Sequence, residues 1–456
     1  MNAIWTFADS AFYELALFAS VGIFLGSLAE VALDLIALFC SLRTRFGQTP
    51  HPVPDPDILD TADAPPFAVF VPAWDEANVI GQMLDAALAS YAGDNVHLFV
   101  GCYPNDAPTT ALVRSRVGPK LSLVMVDRDG GTTKAHCLNN LYRAMLSFEA
   151  RQGDAFAGIV LHDAEDVISK REIEVFHRHL DRFGMIQLPV FPLTNPHSRW
   201  ISGHYCDEFA EAHGKTMVAR QAIGAALPAA GVGCMIRRDA IAAFAVGRGG
   251  EPFSEDCLTE DYELGLMLRD LGFATAFIEQ EDTCGPGLVC TQAYFPDRLG
   301  DAVKQKARWM VGIGLDGWSR LGWGNGWAEV WMRARDRRGL TSAAILLAAY
   351  LAVVLAVLLW FAQWLTGRPF PAPQGLLAFL LCINLVMVGW RLAVRSLYTR
   401  RAYGFAEGVV AVPRVFVSNV IGILASIRAV GLHLASLRTG HVNWEKTKHV
   451  FPTNTP

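Results

Sequence analysis

The sequence predicts a doubly wound α/β domain set between membrane-spanning helices. Three observations carry this. Short apolar runs alternate with helix-period segments from position 67 to position 188. Clusters of polar residues follow those runs directly. Long apolar stretches lie towards both ends of the chain, hydrophobic residues reach 52%, and the mean hydropathy of +0.27 is high for a water-soluble protein.

At 456 residues the chain exceeds one ordinary domain. Its 39 Lys and Arg stand against 44 Asp and Glu, a net charge of −5, so nucleic acid is not an expected partner. The nine cysteines include no C-x-x-C pair, which argues against a zinc site and against a disulfide framework. Reduced thiols in a cytosolic domain are expected.

Residues 1–44 read as an N-terminal transmembrane helix, longer than the roughly 20 apolar residues a bilayer requires. Residues 1–13 hold no Lys or Arg and no cleavage site, so a cleaved secretory signal is not expected. Glu30 and Asp34, four apart, share one helical face, and Arg43 and Arg45 follow. Carboxylates at membrane depth are costly, so this pair is expected near the cytoplasmic interface. Residues 45–66, rich in Pro and Asp, read as a linker.

The α/β domain spans 67–316. Strands are predicted at 67–71, 96–100, 121–126, 159–161 and 185–188, and helices at 76–89, 135–149 and 172–183. This alternation predicts a mainly parallel sheet with helices on both faces, whose ligands sit beyond the carboxyl ends of the strands. The polar clusters fall there: Asp75 and Glu76, Asn105 and Asp106, Asp127 and Asp129, then Asp163-Ala164-Glu165-Asp166. Further on, Thr259 is placed to cap a helix, with Glu260 and Asp261 in its first turn, where the positive helix end favours carboxylates. Charged helix starts are common; the company of the other clusters singles this one out. Residues 298–321 read as a helix with Gln305, Arg308 and Trp309 on one face.

Residues 317–338 pack four tryptophans among basic residues, which suits an amphipathic helix at the bilayer headgroups. Residues 339–396 read as a transmembrane hairpin. Residues 397–438 are apolar but hold Glu407, Pro413, Arg414, Asn419 and Arg428, which leaves spanning, interfacial and re-entrant courses open. Residues 439–456 read as a cytosolic tail. Basic clusters at 43–45, 333–338 and 391–401 place the N-terminus outside and the α/β domain in the cytoplasm.

Asp163 and Glu165 suit a divalent ion, since hard carboxylate oxygens favour Mg²⁺ or Mn²⁺ bridging the phosphates of a nucleotide diphosphate. A D-x-E pair is a weak signal on its own, and Asp166 is open as a substitute for either partner. The stretch Gly130-Gly131-Thr132-Thr133-Lys134 is a loose phosphate cradle without P-loop spacing. Lys134 at a helix start suits a phosphate, and Asn139 lies about one turn on. Arg308 suits a pyrophosphate, and Trp309 the apolar face of a sugar.

In order and spacing, Asp163-x-Glu165, Thr259-Glu260-Asp261 and Gln305-x-x-Arg308-Trp309 resemble the motifs of processive, membrane-bound family 2 glycosyltransferases, over about residues 67–317. More narrowly, Pro72-Ala73-Trp74-Asp75-Glu76, Tyr103-Pro104-Asn105-Asp106, His162-Asp163-Ala164-Glu165-Asp166 and Lys446-Thr447-Lys448-His449-x-Phe451-Pro452 are similar to the inner-membrane glycosyltransferases of phage-adsorption (Nfr) systems. The resemblance implies a GT-A (Rossmann-like) fold, a UDP-sugar donor, Mg²⁺ or Mn²⁺, inversion at the anomeric carbon and a multi-pass location in a bacterial inner membrane. By that resemblance Asp75, Glu76 and Asp106 bind the uridine end, with Lys134 and Asn139 there or at phosphate. Asp163, Glu165 and Asp166 hold the metal. Asp261 is the general base beside Thr259 and Glu260, and Gln305, Arg308 and Trp309 meet the diphosphate and the acceptor.

The metal step carries Glu165 where an Asp is usual. With the sequence ending at Pro456, neither an appended regulatory domain nor control by a cyclic dinucleotide is expected. The implied partners are a glycan or lipid-linked acceptor, the phospholipid membrane and an outer-membrane export partner. The expected activity is polymerising transfer of an N-acetylhexosamine or hexose. Single-sugar transfer to a lipid carrier, and a catalytically idle membrane receptor or scaffold, are the alternatives.

Overall fold

The computed structural model describes residues 2–45, 61–283, 287–439 and 450–452. Most of the expected linker and tail residues 446–449 lie outside the described residues. The chain opens on helix α1 (Asn2–Arg45). The α/β domain then runs β1 (Phe67–Pro72), α2 (Ile80–Ser90), β2 (Val96–Cys102), α3 (Ala107–Arg114), β3 (Leu121–Met125), α4 (Lys134–Gln152), β4 (Gly158–Leu161) and α5 (Glu172–His179). Next come β5 (Met185–Gln187), β6 (Val190–Pro192), α6 (Ile201–Glu211), a π-helical turn (Ala212–Thr216), α7 (Met217–Ala222), β7 (Cys234–Arg237) and α8 (Arg238–Val246). The domain ends with α9 (Glu260–Asp270), β8 (Thr275–Phe277), β9 (Thr291–Ala293) and α10 (Leu299–Trp309). A π-helical segment (Met310–Asp316) leads into α11 (Gly317–Leu321), followed by α12 (Trp327–Arg337), α13 (Gly339–Thr366), α14 (Gly375–Tyr403) and α15 (Phe405–Thr439).

All the strands expected from the sequence are present. The main sheet has the order β3-β2-β1-β4-β7-β5-β8 and is parallel except for β7, which runs antiparallel to both neighbours. Strand β1 explains why the sheet is buried on both sides. Its Phe67, Val69 and Val71 pack into one core cluster, while Ala68 and Phe70 point into the other. A continuous apolar run of this kind is what a parallel strand covered by helices on both faces requires. The chain reverses direction across the sheet between β1 and β4, and ligand crevices form at such switch points. Helix α3 was not expected. It is short, Asp106 caps it by accepting from the Thr109 N–H, and Pro108 fits its first turn.

Among the described residues four helices, α1, α13, α14 and α15, are long and apolar enough to cross a membrane. Glu30 and Asp34 face protein rather than lipid. Lys215 Nζ lies 2.7 Å from Asp34 and 3.6 Å from Glu30, and Arg391 reaches Glu30 at 3.2 Å and Glu211 at 3.1 Å. Arg335 and Arg338 close on Glu30 from the turn where α12 passes into α13, and the Trp390 indole donates to Asp34 at 2.8 Å. This belt of buried ions fastens α1 and α14 to the π-helical turn after α6. Charges so deeply buried persist only when paired.

Candidate active site

The site forms beyond the carboxyl ends of β1, β2 and β4, where α9 and α10 close over it. One cavity is lined by Trp74 and Glu76 after β1, Tyr103 after β2, Thr133 and Lys134 at the start of α4, and Asp163 to Asp166 after β4. Thr259, Glu260 and Asp261 line it from α9, and Gln305, Arg308 and Trp309 from α10. Segments far apart in sequence, from Trp74 to Trp309, thus converge, and the three separate motifs meet in one cavity.

Lys134 is the hub. Its Nζ lies 2.5 Å from Asp163 Oδ1 and donates to the Gly231 carbonyl at 3.3 Å. Gly231 has φ +78°, and a Cβ there would stand 2.5 Å from Asp261 Oδ2, so only glycine lets this loop approach the Asp261 carboxylate. Burial acts to discharge the Lys134 ammonium, but Asp163, Glu260 and Asp261 outweigh it and hold its pKa above the ordinary value. Burial in turn pushes Glu260 up to about 7, the Asp261 charge adding to the effect and Lys134 opposing it. Asp261 is also raised by burial, with Lys134 pulling it back. A half-buried carboxylate of raised pKa beside a cation is the environment a general base uses. Asp261 Oδ1 accepts from the Tyr262 N–H at 2.7 Å, which fixes its direction.

Three buried polar atoms in the cavity wall have no hydrogen-bond partner among the described residues: Thr259 Oγ1, Gln305 Oε1 and Arg308 Nε. Buried polar groups are nearly always satisfied, so three orphans in one wall mark a surface built for a polar ligand. Thr259 departs from expectation here. It holds the N-cap position of α9, but its hydroxyl makes no capping bond. It lies instead where the π-helical segment after α10 passes so close that a Cβ on Gly312 would stand 2.6 Å from Oγ1. Trp309 packs edge-on to Tyr205 at 6.2 Å between ring centres.

Other expected site residues have different surroundings. Asp106 does not line the cavity: its two oxygens accept the N–H groups of Asp75 at 2.5 Å and Thr109 at 3.2 Å. Asp75 is exposed and, among the described residues, is the one non-glycine with a left-handed backbone, φ +54°. Asp106 therefore pins a strained turn that aims Trp74 and Glu76 inwards. Asn139 is buried away from the cavity, trading hydrogen bonds with the backbone of Phe253 at 2.8 and 2.9 Å. Asp166 borders the cavity, yet its Oδ2 accepts from the Asp163 N–H and from His162 Nδ1, both at 2.9 Å. His162 also donates to Glu172 at 2.9 Å. Burial opposes its charge, but Glu172 and Asp166 prevail and raise its pKa to about 10. Asp166 thus shapes the Asp163–Glu165 loop from beneath.

For a divalent ion, Asp163 and Glu165 remain. Among the described residues no group of three acidic, His or Cys side chains is arranged to hold a metal ion. Two carboxylates open to the cavity nevertheless fit Mg²⁺ or Mn²⁺, which are commonly held by one or two carboxylates together with substrate phosphates. The Lys134 ammonium now neutralises Asp163 where a cation would.

Sequence reading missed several cavity residues. Trp74 and Tyr103 stood inside quoted motifs, and their rings meet at 6.2 Å. Phe209 and Phe295, with ring centres 4.8 Å apart, carried no signal because their proximity depends on α6 packing on β6, which pairs with β9 just before Phe295. Helix α9 is tied to the helices that lead into α13 as well: the Tyr262 hydroxyl donates to Asp336 of α12 at 2.8 Å, and Arg320 of α11 donates to Glu263 at 2.9 Å.

Residues 65–312 match a family described as glycosyltransferase like family 2. Over 416 aligned residues the chain is 35% identical to bacteriophage adsorption protein B of Escherichia coli strain K12, covering 86% of this chain and 56% of that relative. Bacteriophage N4 adsorption protein B of Escherichia coli O157:H7 matches to the same extent. The chain therefore spans little more than half the length of these curated relatives. A mannosyltransferase of Pyrobaculum calidifontis, solved in complex with GDP-Man and Mn²⁺, resembles the chain with a TM-score of 0.54 at 17% identity, covering 91% of this chain and 99% of that one. At that identity the likeness is one of fold, and the fold is GT-A.

Proposed function

The chain belongs to family 2 of the glycosyltransferases, and on that premise we propose that it is an inverting, metal-dependent transferase of a bacterial inner membrane. It takes a UDP-sugar, an N-acetylhexosamine or hexose, and adds the sugar to a growing glycan on the cytoplasmic side. The observation that carries this reading is the convergence of Lys134, Asp163, Asp261, Gln305, Arg308 and Trp309 on one cavity whose wall holds three unpartnered polar atoms.

In this reading Trp74 and Glu76 border the nucleoside, and Asp106 positions them. Arg308 bonds the diphosphate, to which its orphaned Nε–H is a donor, and Gln305 lies beside it with Oε1 placed to accept from a sugar hydroxyl. Asp163 and Glu165 would hold Mg²⁺ or Mn²⁺; bound there, the ion offsets charge building on the departing UDP. Trp309 lies against the acceptor sugar. Asp261 takes the proton from the acceptor hydroxyl as its oxygen attacks the anomeric carbon from the face opposite UDP, which inverts that centre. The relatives are named for bacteriophage adsorption, and the proposed product is a glycan exported through an outer-membrane partner.

The test is UDP release by detergent-purified protein across a panel of UDP-sugars, with GDP-mannose included and with Mg²⁺ or Mn²⁺ added. One UDP-sugar should be turned over, and a ladder on a gel should report polymerisation. Turnover of GDP-mannose alone would refute the UDP assignment, and a single-sugar product would refute polymerisation.

A further inference from the structure

Helix α15 has the length and hydropathy of a fourth span, yet the α/β domain grips it along its whole course. Near its start Glu407 pairs with Arg199 at 3.2 Å. Arg414, fully buried, reaches Asp207 at 2.7 Å, and the Ser418 hydroxyl donates to Glu208 at 2.8 Å. Val417 and Ile421 pack with Tyr205 and Trp309, and Ala425 and Ala429 with Ala307 and Val311. Near its end His433 lies 3.0 Å from Asp316. From Glu407 to His433 the helix advances about 39 Å at 1.5 Å per residue. The hydrocarbon layer is only about 30 Å thick. A helix that crossed it would carry one of these ion pairs to the far side, together with the domain that supplies the partner.

The membrane helices give the same answer. The Glu30 belt joins Arg338, just before α13, to Arg391 in α14, so these points share one level. The Ser396 hydroxyl, beyond that level, donates to the Gly408 carbonyl, while Ala429 and Leu432 pack against Leu340 at the start of α13. Both ends of α15 therefore flank the same side of the bilayer. Past the helix, Phe451 is buried in the core of the α/β domain with the β1 residues.

The outer face of α15 is a continuous apolar stripe at helical spacing. Val409, Phe416, Val420, Ile427 and Leu434 are all exposed. It continues the lipid-facing surfaces of α13 and α14, against which α15 packs.

We propose that α15 does not cross the membrane but lies along its cytosolic face. Its polar and small-residue side is clamped to the α/β domain, and its apolar stripe is immersed in the phospholipid of the adjacent leaflet. The described residues then hold three spans, the segment after α15 is cytosolic, and the Trp309 wall of the cavity is backed by a lipid-bound helix.

Spin labels on Val409→Cys, Val420→Cys and Val430→Cys, compared in liposomes for collision with oxygen and with a nickel chelate, measure depth directly. All three should lie at one shallow depth with ready oxygen access. Val420 deep between two shallow positions would show a span and overturn the proposal. Low oxygen access at all three would mean that protein, such as a second copy of the chain, covers the stripe in place of lipid, and would overturn it too. A parallel measurement uses Val450→Cys and an impermeant maleimide over the background of the unsubstituted chain. Labelling should require inverted vesicles, as for Val117→Cys in the α/β domain; labelling in intact spheroplasts would refute a cytosolic C-terminal segment. Neither readout depends on transfer activity.

Discussion

Replacing Asp261 by Asn removes one proton acceptor and little else. The amide oxygen can still accept from the Tyr262 N–H, now 2.7 Å from Oδ1. The amide is nearly isosteric, so it fits beside Gly231, where a single extra carbon would stand 2.5 Å from the carboxylate. Lys134 keeps Asp163 as its ion partner. A change of roughly 1 kcal/mol or less in stability follows, the scale of a charge at a helix start. Loss of general-base catalysis costs about a hundredfold or more in rate, or about 2.7 kcal/mol of barrier. Donor affinity, set by other residues, should change little. The assay pairs UDP-sugar binding by calorimetry with turnover on the same folded, detergent-purified protein. Near-normal turnover at preserved binding would remove Asp261 from the mechanism. Lost binding at preserved stability would reassign it to the donor site.

Other outcomes follow from the same geometry. Asp163→Asn should raise the Mn²⁺ concentration needed for half-maximal activity, with excess Mn²⁺ restoring part of the rate; an unchanged metal titration would exclude Asp163 as a ligand. Lys134 lowers the Asp261 pKa against burial, so Lys134→Met should raise it and move the acid limb of the pH–rate profile to higher pH. A shift to lower pH would contradict that electrostatic reading. Lys215→Met leaves Asp34 and Glu211 without their shared ammonium and should cost about 3–5 kcal/mol, as when one partner of a buried pair is removed; an unchanged melting temperature in detergent would show that the belt is dispensable.

What was legible in the sequence, and what was not, divides by range. The strands β1 to β5 announce themselves because each is a local apolar run bounded by polar turns. Strand β7 does not: it has four residues and enters the sheet antiparallel between β4 and β5 after a long excursion. The site motifs were legible as residue types at strand ends and helix starts. Whether each type faces the cavity was not. Asp106 and Asn139 are chemically suited to a ligand, yet backbone N–H and carbonyl groups claim them, and those partners lie up to 114 positions away. In α15, Pro413 and Arg414 left the course open because an isolated sequence hides Asp207, which pairs with Arg414 across 207 positions. The helix runs through Pro413 without a break.

The most direct measurement is the ratio of UDP released to sugar incorporated by the purified protein, wild type beside Asp261→Asn. A one-to-one ratio in the wild type, with both quantities falling together about a hundredfold or more in the variant, is the expected result. Tight UDP-sugar binding with neither UDP release nor sugar incorporation, from any donor and with either metal, would contradict transfer at this site.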